Sequence, residues 1–195
     1  MLGSRLAQVE GNDLEHEIVV SAAGGDVHSA VATSSGVVYT WGFGQTGALG
    51  HGDLENLNGP RRVESLLAGF EEVVEVTQVA CGAYHTLARS KKGEVWCWGD
   101  GEFGALGLED QGDAETHRAV SPRLLDFAAA GGGKGPVAHI AAGHLTSCAV
   151  DDQGGLLVWG CAMGEDGATA TPAELRPKVS YWRGDVLCCP TSRST

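Results

Sequence analysis

Apolar residues in this chain fall in short runs that alternate with polar ones. A period of two marks strands with one buried face. Three such runs are VVYTW (37–41), EVWCW (94–98) and GLLVW (155–159). Alternation places Tyr39 and Trp41 on one face, as it does Trp96 with Trp98 and Leu157 with Trp159. A glycine stands five residues before each terminal Trp, at Gly36, Gly93 and Gly154. Each follows a polar pair, Ser-Ser, Lys-Lys or Asp-Gln, which predicts a hairpin turn between two short strands. Further strands are expected near Val73–Ala80 and Val137–Ala141. No apolar run approaches the ~18 residues that a membrane helix needs.

The pattern repeats. Gly24–Gly42, Cys81–Gly99 and Ala142–Gly160 align without gaps. Gly25, Gly82 and Gly143 open equivalent turns, and Trp41, Trp98 and Trp159 end equivalent strands, 16 residues later each time. A proline closes each unit (Pro60, Pro122, Pro172), with an apolar residue three further on (Val63, Leu125, Leu175). Hairpin repeats of this length with one Trp each predict propeller blades of four strands. The expected fold is therefore all-β: a partial β-propeller of about three blades of four-stranded antiparallel sheet. Residues 1–17 form an N-terminal segment. The repeats span 18–178, divided at about 18–75, 76–136 and 137–178, and 179–195 form an irregular C-terminal tail.

Composition narrows the function classes. The formal net charge is −12, so direct contact with nucleic acid or anionic lipid is disfavoured. The chain is 43% hydrophobic and 19% charged, too apolar for a disordered protein. Thirty glycines fit many tight turns. Six cysteines form no C-x-x-C pair, and the first residues carry charge early with no apolar leader. A reduced intracellular protein, cytoplasmic or nuclear, is expected.

Several motifs suggest chemistry. GFGQTG (42–47) and GDGEFG (99–104) fit G-x-G-x-x-G, but neither precedes a helix pattern that could hold a phosphate. Their shared repeat slot marks them as turns. His28 and His85 also share a slot, beside Ser29 and Thr86. One His per blade, bonded to a neighbouring strand, explains them better than a metal ligand, since Thr146 fills the third slot. The periodic Trp residues suit a core, Cys81 and Cys148 act as small buried groups, and Cys97 alternates with Trp96 and Trp98 and so faces the other side. Cys188-Cys189 has no base or acid placed beside it by the sequence, and RGD (183–185) would need a secreted protein to matter. No catalytic triad, metal set or cofactor motif stands out. The loops after each Trp differ more. They carry Asp53 and Glu55 in the first unit, and Glu109, Asp110, Asp113 and Glu115 in the second. Loops on a rigid scaffold commonly carry function; these acidic ones read either as solvated loops or as a docking surface for a basic protein partner.

The units resemble regulator of chromosome condensation repeats, with the pattern G-x-x-H-[ST]-x-A-L … G-x-[VL]-[YW]-x-W-G-x-[GN]-x-x-G-x-L-G. GDVHSAVA with GVVYTWGFGQTGALG, and GAYHTLA with GEVWCWGDGEFGALG, carry the match. The third unit departs from it, with Thr146 in the His slot and CAMGEDGA in place of the tail. The resemblance implies a seven-bladed ring, of which three units make an incomplete part. Open blade edges then imply self-association or marginal stability. It also implies that turn positions Asp26-Val27, Ala83-Tyr84 and His144-Leu145 face a partner, with Asp26, Tyr84 and His144 on one face. Exchange-factor members use such positions against small GTPases. Photoreceptor members place a Trp in the turn, where this chain has Ala83. Three readings follow: a non-catalytic protein-interaction module, a regulator or nucleotide exchange factor of a small GTPase, and a substrate-recruiting domain of a larger enzyme.

Overall fold

A computed structural model describes residues 13–68, 72–108, 117–127, 135–164 and 167–175. The described residues form three four-stranded antiparallel meanders. The first holds β1 (Val19–Gly24), β2 (His28–Thr33), β3 (Val38–Gly42) and β4 (Leu57–Arg62). The second holds β5 (Val76–Cys81), β6 (His85–Ser90), β7 (Val95–Asp100) and β8 (Arg118–Leu124). The third holds β9 (Val137–Ala142), β10 (Thr146–Asp151), β11 (Leu156–Gly164) and β12 (Gly167–Leu175). This is the expected all-β arc of blades.

Register repeats from blade to blade. His28 pairs with Gly42, His85 with Gly99 and Thr146 with Gly160. Ser29, Thr86 and Ser147 lie opposite Trp41, Trp98 and Trp159. The hairpin turns have Gly36, Gly93 and Gly154 at φ +84°, +83° and +81°, left-handed values that a side chain resists. Each closes the same way: Gly36 N–H donates to Thr33 O at 2.9 Å, and Thr33 N–H to Val37 O at 2.9 Å. The anticipated strand at Val73–Ala80 begins only at Val76. Val74 instead donates its N–H to Leu66 O of a one-turn helix, α1 (Ser65–Ala68), so the approach to β5 follows that helix. Strand propensity at Val73 and Val74 is overridden by this docking.

Blades are joined by a repeated set of hydrogen bonds. Val76 N–H reaches back to Gly36 O at 3.0 Å, and Val137 N–H to Gly93 O at 2.9 Å. Val79 N–H donates to Ser21 Oγ at 3.1 Å, and Ile140 N–H to Gln78 Oε1 at 3.1 Å. His28 Nε2 lies 2.8 Å from Thr86 Oγ1, and His85 Nε2 2.8 Å from Ser147 Oγ. The two hydroxyls donate to Ala48 O and Ala105 O, each at 2.8 Å. The indoles of Trp98 and Trp159 donate to these same carbonyls at 2.8 and 3.0 Å. Every next-blade Trp is thus tied to the preceding blade's G-A-L-G loop.

The core lies between the blades. Ala30, Ala32, Val38 and Val63 of the first pack toward Val76, Val79, Trp96 and Trp98 of the second. Leu87, Val95 and Leu125 continue toward Ile140, Leu157 and Trp159 of the third. Trp98 and Trp159 are fully buried.

Candidate functional site

Antiparallel meanders alternate direction. The β1–β2 turn and the β3–β4 loop therefore leave the sheet at one end, and the Gly36 hairpin at the other. Equivalent turns of all three blades share that first end. They are Gly25–Val27, Gly82–Tyr84 and Gly143–Leu145. Each is pinned twice. Gly25, Gly82 and Gly143 donate to the carbonyls of His28, His85 and Thr146 at 2.9, 2.9 and 2.8 Å. Phe43, Asp100 and Cys161 donate to Val27, Tyr84 and Leu145 carbonyls at 2.9, 2.9 and 2.8 Å.

The turns press on each other through backbone. Ala83 N–H donates to His144 O at 2.9 Å. A Cβ on Gly82 would meet the His85 ring and stand 2.7 Å from Gly143 O, so no side chain fits. Gly82→Ala is expected to cost about 1–3 kcal/mol through this overpacking. A urea titration checks it, and an unchanged midpoint would contradict the close packing of the turns.

This packing brings residues of three blades together. His144 Nδ1 lies 3.0 Å from Asp26 Oδ2, with both side chains about half exposed (56% and 52%). The Tyr84 ring stands edge-on to His144, 6.1 Å between centroids at 64°. Asp26 and His144, both exposed, and the half-buried Tyr84 therefore form one cluster with an acid, a phenol and an imidazole. Asp53 sits on the β3–β4 loop of the same end. Its carboxylate accepts Glu55 N–H at 3.0 Å and pairs with Arg61 at 3.4 Å, while Glu55 is exposed. Glu109, Asp110, Asp113 and Glu115 lie outside the described residues.

Sequence reasoning missed the apolar members. Val27 (39% exposed), Phe43 (36%), Leu54 (43%) and Phe103 (50%) all sit on connections of this end. Phe103 is held at φ +57°, a conformation costly for a side-chain-bearing residue. The signal was present: Phe43 and Phe103 occupy x positions of the two G-x-G-x-x-G segments, where turn chemistry alone asks for no aromatic. Those segments are irregular loops and a 3-10 turn (Glu102–Gly104), not phosphate-binding helices.

His28 and His85 lie beneath the turns, 4% and 1% exposed. Thr86 has one hydroxyl proton and gives it to Ala48 O, so it accepts from His28 Nε2–H. The same logic puts the proton on Nε2 of His85. Burial lowers both imidazoles to about 4, so they are neutral at pH 7. Burial likewise raises the thiols of Cys81, Cys97 and Cys148, which keeps them protonated and unreactive. Gly25, Gly82 and Gly143 hold the turns above. Trp41 is half-buried, unlike Trp98 and Trp159. Among the described residues, no group of three or more His, Cys, Asp or Glu side chains could hold a metal ion. No helix among them is long and apolar enough to cross a membrane.

Comparison with known proteins agrees with this architecture. Residues 35–89 and 92–150 match the regulator of chromosome condensation (RCC1) repeat. The chain is 36% identical over 134 residues to the Protein RCC2 homolog of Danio rerio, covering 69% of this chain and 24% of that protein. It is 32% identical over 169 residues to the E3 ubiquitin-protein ligase HERC2 of Homo sapiens, covering 85% of this chain and 3% of that protein. The crystal structure of human WBSCR16 superposes with a TM-score of 0.74 at 29% identity, over 89% of this chain and 41% of that one. The chain thus spans a quarter or less of these two curated relatives.

Proposed function

The chain belongs to the regulator of chromosome condensation repeat family, and from that premise we propose that its turn end is a non-catalytic docking surface for a basic protein. The observation that carries this reading is the mixture on that one end. Exposed Phe43, Leu54, Phe103 and Val27 supply apolar anchors beside Asp26, Glu55 and Glu102. Apolar anchors within a charged rim are the anatomy of a protein interface. The net charge of −12 steers a basic partner toward it. The backbone-packed turns keep the face preorganised, which limits the ordering cost of binding.

The test is binding of the immobilised chain to basic proteins of graded charge, at low and high salt. Phe43→Ser with Phe103→Ser is expected to weaken binding at least tenfold, and Asp26→Asn to flatten its salt dependence. Binding that ignores all three changes would place the interface elsewhere.

A second reading is regulation of a small GTPase. The acid and imidazole of Asp26 and His144 at equivalent turn positions favour it. An exchange factor must bind the nucleotide-free form better than the loaded one. Faster nucleotide release from a GTPase panel, lost in the Asp26→Asn chain, would select this reading.

A further inference from the structure

The end opposite the turns carries the Gly36, Gly93 and Gly154 hairpins, and there the second blade departs from its neighbours. By register, Tyr39 pairs with Arg62 in the first blade, Trp96 with Leu124 in the second and Leu157 with Glu174 in the third. Two blades thus place a charged residue at this point of the outer strand, which suits a solvated edge. The second places Leu124 there, 47% exposed. Val73, in the segment before β5, is 59% exposed.

These two residues line one groove of about 400 Å³ with the buried Val74 and Trp96. Its polar wall is the β6–β7 hairpin, tied to the segment before β5 by two ion pairs. Lys91 Nζ lies 2.9 Å from Glu75 Oε2, and Lys92 pairs with Glu72. All four side chains are exposed, so each pair contributes little and exchanges partners readily. Glu94 stands on the same rim and accepts from Ser90 Oγ at 2.9 Å. The groove therefore joins an apolar floor to three carboxylates and two ammonium groups.

The chain itself supplies a segment of matching chemistry. β12 ends at Leu175, which pairs with Leu156 next to the Gly154 hairpin, so residue 176 starts at this same end. Residues 176–195 lie outside the described residues. Their sequence sets Tyr181 and Trp182 among Arg176, Lys178 and Arg183, in a chain of net charge −12. The stretch from Leu175 to Tyr181 spans up to about 20 Å when extended. Neighbouring sheets pack about 10 Å apart, so the second blade is within reach of the third blade's last strand.

We propose that this groove is the docking site of the chain's own residues 176–183. Trp182 seats against Leu124, Val73 and Trp96, which removes an apolar patch from water. Arg176, Lys178 and Arg183 take the carboxylates of Glu72, Glu75 and Glu94. An Arg at position 124, as in the first blade, would repel the same segment. The groove lies at the opposite end from the surface proposed above to bind a basic protein, and the inference does not rest on that reading.

The test uses the full chain with Trp182 replaced by photoreactive p-benzoylphenylalanine, irradiated over a range of dilutions and mapped by mass spectrometry. Crosslinks are expected within one molecule, from position 182 to the peptides that carry Val73 or Leu124, with a yield independent of dilution. Leu124→Arg, which gives the second blade the residue type of the first at a solvated position, is expected to lower that yield at least tenfold. As a second measure, Tyr181→Ser with Trp182→Ser in the otherwise natural chain is expected to speed amide hydrogen exchange in the Lys91–Glu94 hairpin. Crosslinks to other segments, or none, overturn the proposal. So does a yield that rises with concentration, which would assign the groove to a second copy, or a Leu124→Arg chain that crosslinks as before.

Discussion

Trp98→Ala is expected to destabilise the chain by about 3–5 kcal/mol, the usual range for emptying a buried Trp site. Trp98 is fully buried in the core between the first two blades. Its rigid surroundings are two sheets held in register by hydrogen bonds on either side, so they cannot collapse into the cavity. A loss of that size is a large share of the 5–15 kcal/mol that holds a typical domain together. The Ala48 carbonyl is not orphaned, because Thr86 still donates to it at 2.8 Å. The loss is therefore one of packing and not of hydrogen bonding. Trp98→Phe separates the two: it retains most of the ring, gives up the indole bond, and is expected to cost about 1 kcal/mol plus a small packing loss. Trp41→Ala is the internal control. That residue is half-buried and should cost roughly half as much. Urea titrations of the three variants check the order. Equal losses at Trp41 and Trp98 would mean that the first blade is as covered as the second.

The second large effect is on pH. His28 and His85 are neutral in the fold with pKa values lowered to about 4, against about 6.5 in an unfolded chain. The unfolded chain therefore binds more protons between those values, and stability must rise with pH there. Stability is full above pH 6.5 and is lost as pH falls toward 4, by at most about 2–3 kcal/mol per unit for the two groups together. Structure gives the reason. Protonation would place a second N–H on each ring at Nδ1, which is buried with no hydrogen-bond partner among the described residues. Desolvation is the main cause, and for His85 the neighbouring His28 and His144 add to it. Urea midpoints between pH 7.5 and 4.5 measure the slope. His28→Gln with His85→Gln is expected to flatten the slope above pH 5, where carboxylates contribute little. An unchanged slope in that double variant would show that other groups carry the acid sensitivity.

Much of this molecule is legible in its sequence because its determinants are local and repeated. A Gly with positive φ before VVYTW, EVWCW or GLLVW specifies a hairpin whatever surrounds it. The gap-free spacing from Gly25 to Trp41, and its two copies, specifies equal registers, because pairing in a two-residue period cannot slip without turning the Trp outward. Thr146 fits the slot of His28 and His85 in another way: its short hydroxyl turns to its own sheet and donates to Cys161 O.

Other features depend on groups far apart in the chain. Nothing local in HSAVAT or HTLARS says that His28 will meet Thr86, 58 residues away, or that Thr86 and Trp98 will share the Ala48 carbonyl. The exposed aromatics are also invisible to a pattern reading, since Phe43 and Phe103 look like loop residues until the meander brings both to one end. The Asp26–Tyr84–His144 cluster lies between these cases. Equivalent turn positions were readable, but the 3.0 Å approach of His144 to Asp26 needs the backbone-to-backbone packing of glycine turns. Hairpins and registers were thus set by the sequence alone, through short-range backbone preference and side-chain period. Which blade face is satisfied and which is open was decided only by tertiary structure, because a hydrogen bond between blades exists only when both blades are in place.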